Sequence, residues 1–260
     1  MDDTSWIRQT PTKPAFEDVL WSRPENRRHA GKLLIVGGNN ASFTAVSSAF
    51  GSAAAAGIGT ARVIMPGSLE KMLIKFFPEA QFVASTPSGS FARTALGPLC
   101  DAAAWADGVL LAGDFGKNSE TAVMLENFIS KYSGGLTLAG DSLDYFMSGP
   151  QLILDRPETI IIGDFGKVQK LLSGRLLVKH SMNLAQIVQQ LVTFSGNCNS
   201  SIITMHSEQL IVASRGRVST TPAESPNMGE LATFAAVWSL QQPGKTFEAL
   251  VTAIHCYLNQ

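Results

Sequence analysis

Asn227-Met228-Gly229-Glu230 is the segment whose residue types and spacing best suit chemistry. Asn227 is a good helix N-cap, Gly229 leaves its amide unobstructed, and Glu230 puts a carboxylate in the first turn of an Ala-rich helix. Amides at a helix start attract anions, and a carboxylate beside them can serve as a general base. The same four residues equally make an ordinary cap whose acidic first turn complements the helix dipole.

In an open parallel sheet, ligands bind beyond the carboxyl ends of the strands. The turns to weigh there are Gly37 to Ala41, Gly113 to Asn118, Gly140 to Ser142 and Gly163 to Lys167. Gly37, Gly38 and Asn39 could bring amides against a phosphate, or simply form a tight turn. Asp141 is placed either to contact Mg²⁺ or substrate, or to cap a short helix from Ser142. Lys117 and Lys167 could each supply a cation at a helix start or stand solvated. His180 and His206 have no carboxylate or cysteine at ligand spacing, so they read as structural and no metal site is predicted. Neither the P-loop pattern nor the dinucleotide-binding glycine fingerprint occurs.

The elements that must carry these turns alternate. Apolar strands are predicted at 32–36, 61–65, 106–112, 135–139 and 159–162, with helices at 44–56, from Ser68, at 120–131, 142–146, 166–172 and 184–194. Closely spaced strands at 201–204, 209–213 and 217–220 then predict an antiparallel edge, and helices at 228–240 and 246–258 close the chain. Strand-helix alternation of this kind makes a mostly parallel sheet between two helix layers. Residues 1–28 read as an N-terminal arm and 29–260 as one domain. A pentapeptide repeats: Gly113-Asp114-Phe115-Gly116-Lys117 and Gly163-Asp164-Phe165-Gly166-Lys167 each follow an apolar strand and lead towards a helix. Phe76, Phe77 and Trp238 read as core.

Composition narrows the classes. The 260 residues are 45% hydrophobic and 16% charged, against about 25% charged in average globular chains, which leaves ample material for a core. Lys plus Arg number 20 and Asp plus Glu 21, so no global field favours nucleic acid. Polar residues interrupt the uncharged stretch from Leu33 to Ala61, so no membrane span is predicted. Cys100, Cys198 and Cys256 are scattered, and the first residues are acidic and polar, which fits a cytoplasmic protein.

The stretch His29-Ala30-Gly31-Lys32-Leu33-Leu34-Ile35-Val36-Gly37-Gly38 resembles the opening of the NAD(P)H-hydrate dehydratase family of the ribokinase-like superfamily. Gly57-Ile58-Gly59-Thr60 is similar to that family's Gly-x-Gly approach to its second strand. Gly113-Asp114-Phe115-Gly116 stands in the place of a Gly-Pro-Gly-Leu-Gly turn, Gly140-Asp141-Ser142-Leu143 in that of Asp-Ala-Asp-Ala-Leu, and Asn227-Met228-Gly229-Glu230 in that of Gly-x-Gly-Asp. The resemblance implies a ribokinase-like α/β/α fold and ADP- or ATP-dependent dehydration of hydrated NAD(P)H with Mg²⁺. Glu230 would replace the aspartate base, with Gly229, Asn227 and Met228 at the anion hole. Gly37, Gly38, Asn39, Gly116, Asp141, Asp164 and Gly166 would border the substrate. Expected partners are hydrated NAD(P)H or a related nucleotide and further copies of the chain as a homo-oligomer.

Three departures from the pattern carry the alternative of an inactive nucleotide-binding or protein-interaction module. Asn227 replaces the first glycine. Gly163-Asp164-Phe165-Gly166-Lys167 replace a Pro-His-Pro-Gly-Glu turn, with only Gly166 kept. Met205-His206 replace a phosphate-holding Lys-Gly.

Overall fold

The computed structural model describes residues 5–173, 175 and 182–260. At its centre, Lys32–Gly37 (β2), Thr60–Pro66 (β3), Gly108–Gly113 (β5), Gly135–Leu138 (β6) and Thr159–Ile162 (β7) pair in parallel. With Trp6–Arg8 (β1), Gln81–Val83 (β4), Ser201–His206 (β8), Gln209–Ser214 (β9) and Arg217–Pro222 (β10), the described residues form one sheet. Its strand order is β1-β10-β9-β8-β7-β6-β5-β2-β3-β4. Only β9 runs against its neighbours, because two hairpins connect it to β8 and β10. Arg215 and Gly216 both have positive φ, as a two-residue hairpin turn matched to strand twist requires. Ser207 and Glu208 adopt the same turn without a glycine.

The central strands are buried on both faces, so successive residues enter different cores. Leu33, Ile35, Val63 and Met65 belong to one core, and Leu34, Val36, Ile64 and Leu111 to the other. The first is covered by Thr44–Ala56 (α2), Met228–Gln241 (α9) and Thr246–Leu258 (α10). The second is covered by Leu96–Trp105 (α4), Ser119–Lys131 (α5) and Leu184–Gly196 (α8), with the shorter Gln151–Leu154 (α6) and Phe165–Leu171 (α7). The architecture is therefore three layers, α/β/α, on a mostly parallel sheet. No described helix is long and apolar enough to cross a membrane.

α9 positions the segment singled out above. Every residue from Leu231 to Trp238 is buried, as expected of a helix that is apolar all round. It lies against α2, α10 and the sheet, and each large side chain so buried contributes roughly 1.5–3 kcal/mol. Its first turn is held at the carboxyl rim of the sheet with little freedom to shift.

Several expectations are refined. The first 28 residues are more than an arm: β1 pairs in parallel with β10, and Glu17–Trp21 (α1) buries Val19 beside α10. Gln9 Nε2 donates to Thr221 Oγ1 and to the Val251 carbonyl, tying this segment to both elements. β4 and α4 had no signal in the alternation, since β4 has three residues and α4 carries Gly97 and Pro98 in its first turn. Ser68 does not cap a helix; Gly67–Leu69 form a 3-10 turn before Glu70–Leu73 (α3), and Ser68 Oγ donates to the Gly89 carbonyl instead. Phe76 is 76% exposed, while Phe77 packs against Phe50 as core was expected to do. His180 lies outside the described residues.

Gly37 shows how tightly the rim is built. A Cβ there would lie 2.3 Å from the Gly113 carbonyl oxygen and 2.9 Å from Val46 Cγ2. Both neighbours belong to fixed elements, so the substitution Gly37→Ala must push β2 away from β5 or α2. Urea denaturation is expected to show a loss of about 1–3 kcal/mol, the usual penalty of overpacking; an unchanged midpoint would contradict the close approach.

Candidate functional site

At the rim, the parallel strands end in turns whose outward amides need acceptors. In α9, Asn227 Oδ1 accepts from the Gly229 and Glu230 amides at 3.0 and 3.3 Å. Asn227 Nδ2 donates to Glu230 Oε1 at 3.0 Å, and Ser48 Oγ of α2 donates to the same oxygen at 3.4 Å. The backbone N–H of Asn227 is held by the Tyr257 hydroxyl at 2.7 Å. Glu230 is half-buried between α2 and the cap, and the amides that would cradle an anion already have an acceptor. Met228 opens the helix and packs on the first core.

The turn after β2 is built the same way. Asn39 Oδ1 accepts from the Ala41 and Ser42 amides, and its Nδ2 donates to the Asp114 carbonyl at 2.5 Å. The Gly38 amide donates to the Gly113 carbonyl at 3.0 Å. Asp114, in the left-handed region at φ 59°, reaches across to α2, where its Oδ2 accepts from the Ala45 amide at 2.8 Å. α2 has no side-chain cap of its own, so Asp114 supplies one from a different loop.

Asp141 follows β6, and its carboxylate accepts from the Phe115 and Gly116 amides at 3.1 and 3.0 Å. The Tyr145 hydroxyl donates to the Gly116 carbonyl, closing the loop from the other side. Burial raises the Asp141 pKa above the ordinary aspartate value; the two amides pull it down, and Asp114 and Asp144 push it up again. Burial likewise raises the Tyr145 hydroxyl pKa. Lys167 Nζ, at the start of α7, donates to the Gly140 carbonyl at 3.0 Å and pairs with Asp144 at 3.1 Å.

The sequence candidates thus fall into three groups. Gly37, Gly38, Asn39, Gly116 and Asp141 meet around the ends of β2, β5 and β6. Asn227, Met228, Gly229 and Glu230 meet at the start of α9. Asp164 and Gly166 are exposed at the start of α7, a turn that reaches the first group through Lys167 and the end of β8 through Phe165. Met205 and His206 end β8; Met205 packs partly into the first core, and the His206 ring lies 4.6 Å from that of Phe165. Asp114, Ser48 and Tyr145 are the participants that sequence reasoning missed. The loop holding Asp114 was singled out as a strand-end turn and as one copy of the Gly-Asp-Phe-Gly-Lys pentapeptide, but neither pointed to the Asp114 side chain itself.

The rim carboxylates do not fit a protein-held divalent cation. Among the described residues no group of three or more His, Cys, Asp or Glu is placed to hold one. Asp141 uses both oxygens on amides, Asp144 pairs with Lys167, and Glu230 accepts two hydrogen bonds. Any Mg²⁺ would have to arrive with a nucleotide's phosphates, and no chemical step is assigned to it.

No protein-family model and no curated relative matches the sequence. Solved structures do match in shape. A ribokinase-like superfamily protein from Enterococcus faecalis superimposes with a TM-score of 0.72 at 18% identity, over 96% of this chain and 86% of that one. A protein from Streptococcus mutans gives 0.68 at 16% identity, over 92% and 88%. The ADP/ATP-dependent NAD(P)H-hydrate dehydratase from Bacillus subtilis, co-crystallised with ATP/Mg²⁺, gives 0.60 at 11% identity, over 93% and 86%. The fold of this chain is ribokinase-like.

Asp141 yields a pH test. Its pKa is raised on folding, so its contribution to stability is complete below the ordinary aspartate value of about 4 and is lost as pH rises through the raised folded value. Asp141→Asn keeps an acceptor and removes the titration. Urea midpoints measured between about pH 3.5 and about pH 6 are expected to show wild type losing stability relative to the variant as pH rises. A difference independent of pH would mean that burial does not dominate this carboxylate.

Proposed function

We propose that this chain is a ribokinase-like module that binds a nucleotide-type ligand at its strand rim without turning it over. The observation that carries this reading is the contact between Asn227 Oδ1 and the Gly229 and Glu230 amides. Phosphate-coupled dehydration needs those donors free for developing negative charge, because electrostatic stabilisation works only where donors are aimed at the reacting oxygens. Here the chain's own carboxamide fills the place. The loss of a cation at Met205-His206 and of a histidine at Asp164 to Lys167 points the same way. Nucleotide binding is drawn from the fold: the Bacillus subtilis dehydratase, to which this chain is similar in overall fold, was co-crystallised with ATP/Mg²⁺.

A dehydratase is the second reading, favoured by Glu230. Its carboxylate is half-buried beside the helix start, accepts hydrogen bonds from Ser48 and Asn227, and could take a hydroxyl proton if Asn227 swung aside. Such a swing needs only a side-chain rotation, since Asn227 is exposed.

One experiment separates the two. Hydrated NADH incubated with the protein and ADP or ATP is expected to give no rise in NADH absorbance, while ADP, ATP or NAD raises the melting temperature. Asn227→Gly uncaps the amides for only a few tenths of a kcal/mol, and is expected to enlarge the shift with ADP and ATP. Turnover by wild type that disappears in Glu230→Gln would establish the dehydratase. No thermal response to any of the three nucleotides would remove nucleotide binding.

A further inference from the structure

Between β4 and α4 the chain makes a small hairpin that no motif announced. The Thr86 amide donates to the Ser90 carbonyl at 2.8 Å, and the Ala92 amide to the Ala84 carbonyl at 3.0 Å, with a bridge between Ser85 and Phe91. Its base is anchored in apolar material: Phe91 is fully buried, its ring 5.6 Å from that of Phe115, and its carbonyl accepts from Thr121 Oγ1. Its tip is held differently, by polar contacts alone. The Gly89 carbonyl accepts from the Asn40 amide at 3.0 Å and from Ser68 Oγ at 2.9 Å, and Ser88 Oγ accepts from Asn118 Nδ2 at 2.9 Å. Three separate crossovers, those after β2, β3 and β5, are thereby fastened to one tip.

The hairpin covers part of the rim. Ser90 Oγ lies 3.2 Å from where a Cβ on Gly116 would be, and Asn39 Nδ2 lies 3.3 Å from the same point. Gly116 is therefore under the hairpin, with Asn39 beside it. Gly89 is buried at φ 83°, and a Cβ there would stand 2.3 Å from Asn40 Cβ, so the latched position accepts only glycine. Apolar burial at the base and a few hydrogen bonds at the tip give the two ends unequal strength, which is how a local opening arises without global unfolding.

We propose that residues 85–90 form a latched lid on a base that Phe91 fixes, and that release of its tip opens the rim at Gly116. The role of the opening in admitting a ligand rests on the nucleotide-binding reading above; the latch itself does not. Hydrogen exchange on the ligand-free protein tests the latch. The Asn40 amide, which bonds across to the tip, is expected to exchange faster than Ile35 in β2 and Phe234 in α9. Ser68→Ala removes one donor from an exposed position and is expected to speed Asn40 exchange by about fivefold, the loss of one hydrogen bond, with Phe234 unchanged. Gly89→Ala is expected to give a larger effect at the Asn40 amide.

The lid is overturned if Asn40 exchanges as slowly as Ile35, or if Ser68→Ala leaves its rate unaltered. Adding ADP then checks the ligand reading separately. Protection of Asn40 by ADP supports a lid that closes on ligand. Fast tip exchange that ADP does not alter, in protein with no thermal response to nucleotide, supports the latch and removes the ligand reading alone.

Discussion

Amides that a parallel sheet turns outward at its carboxyl rim must find acceptors, and here the protein supplies those acceptors from its own side chains. Asn227 serves α9, Asp114 serves α2, Asn39 serves the turn after β2, and Asp141 serves the loop after β5. The amides served by Asn227 and, at Ala41, by Asn39 are exposed and those served by Asp114 and Asp141 part-buried, so each pairing contributes no more than about 0.5–1.5 kcal/mol, and the four together help to fix the rim. The same amides are where a phosphate would bind in an α/β fold of this kind. Stability and anion binding therefore compete for one set of donors, and the chain has satisfied the donors internally.

The competition has an electrostatic side. Asp114, Asp141 and Asp144 lie near one another, and Asp141 is buried enough for its carboxyl to hold its proton to a higher pH than an exposed aspartate. Lys167, paired with Asp144 and the Gly140 carbonyl, brings a cation into this acidic group. A ligand with phosphates would face carboxylates at two of the four amide sites and carboxamides at the others. Asn227 and Asn39 bring no charge of their own against an incoming anion, but at the α9 start the Glu230 carboxylate bonded to Asn227 faces it. The α9 start is also the point that the buried helix behind it holds in place.

Much of the architecture was legible. Apolar runs of four to six residues with turns at each end gave the central strands, and the all-round apolar character of 231–238 gave a buried helix, because burial on every side leaves its mark on every residue. β1, β4 and the 84–92 hairpin were not legible. Each is short, and its position depends on partners elsewhere: β1 on β10, β4 on β3, and the hairpin tip on Asn40, Ser68 and Asn118. Local pattern has no access to such long-range pairing.

The repeated pentapeptide marks the boundary most clearly. Gly113-Asp114-Phe115-Gly116-Lys117 and Gly163-Asp164-Phe165-Gly166-Lys167 are identical in sequence and both follow a parallel strand. The first is a loop with Asp114 and Gly116 at positive φ, Phe115 fully buried against Phe91, and Lys117 exposed. In the second, Asp164 is exposed, Phe165 begins a helix, and Lys167 is partnered. The amino-acid sequence by itself determined that both segments are strand-to-helix turns, since an apolar run followed by glycines and a polar residue must end a strand. Which conformation each turn takes was decided by tertiary structure, because only the first has the uncapped α2 amide of Ala45 within reach of its aspartate and a pocket beside Phe91 for its phenylalanine.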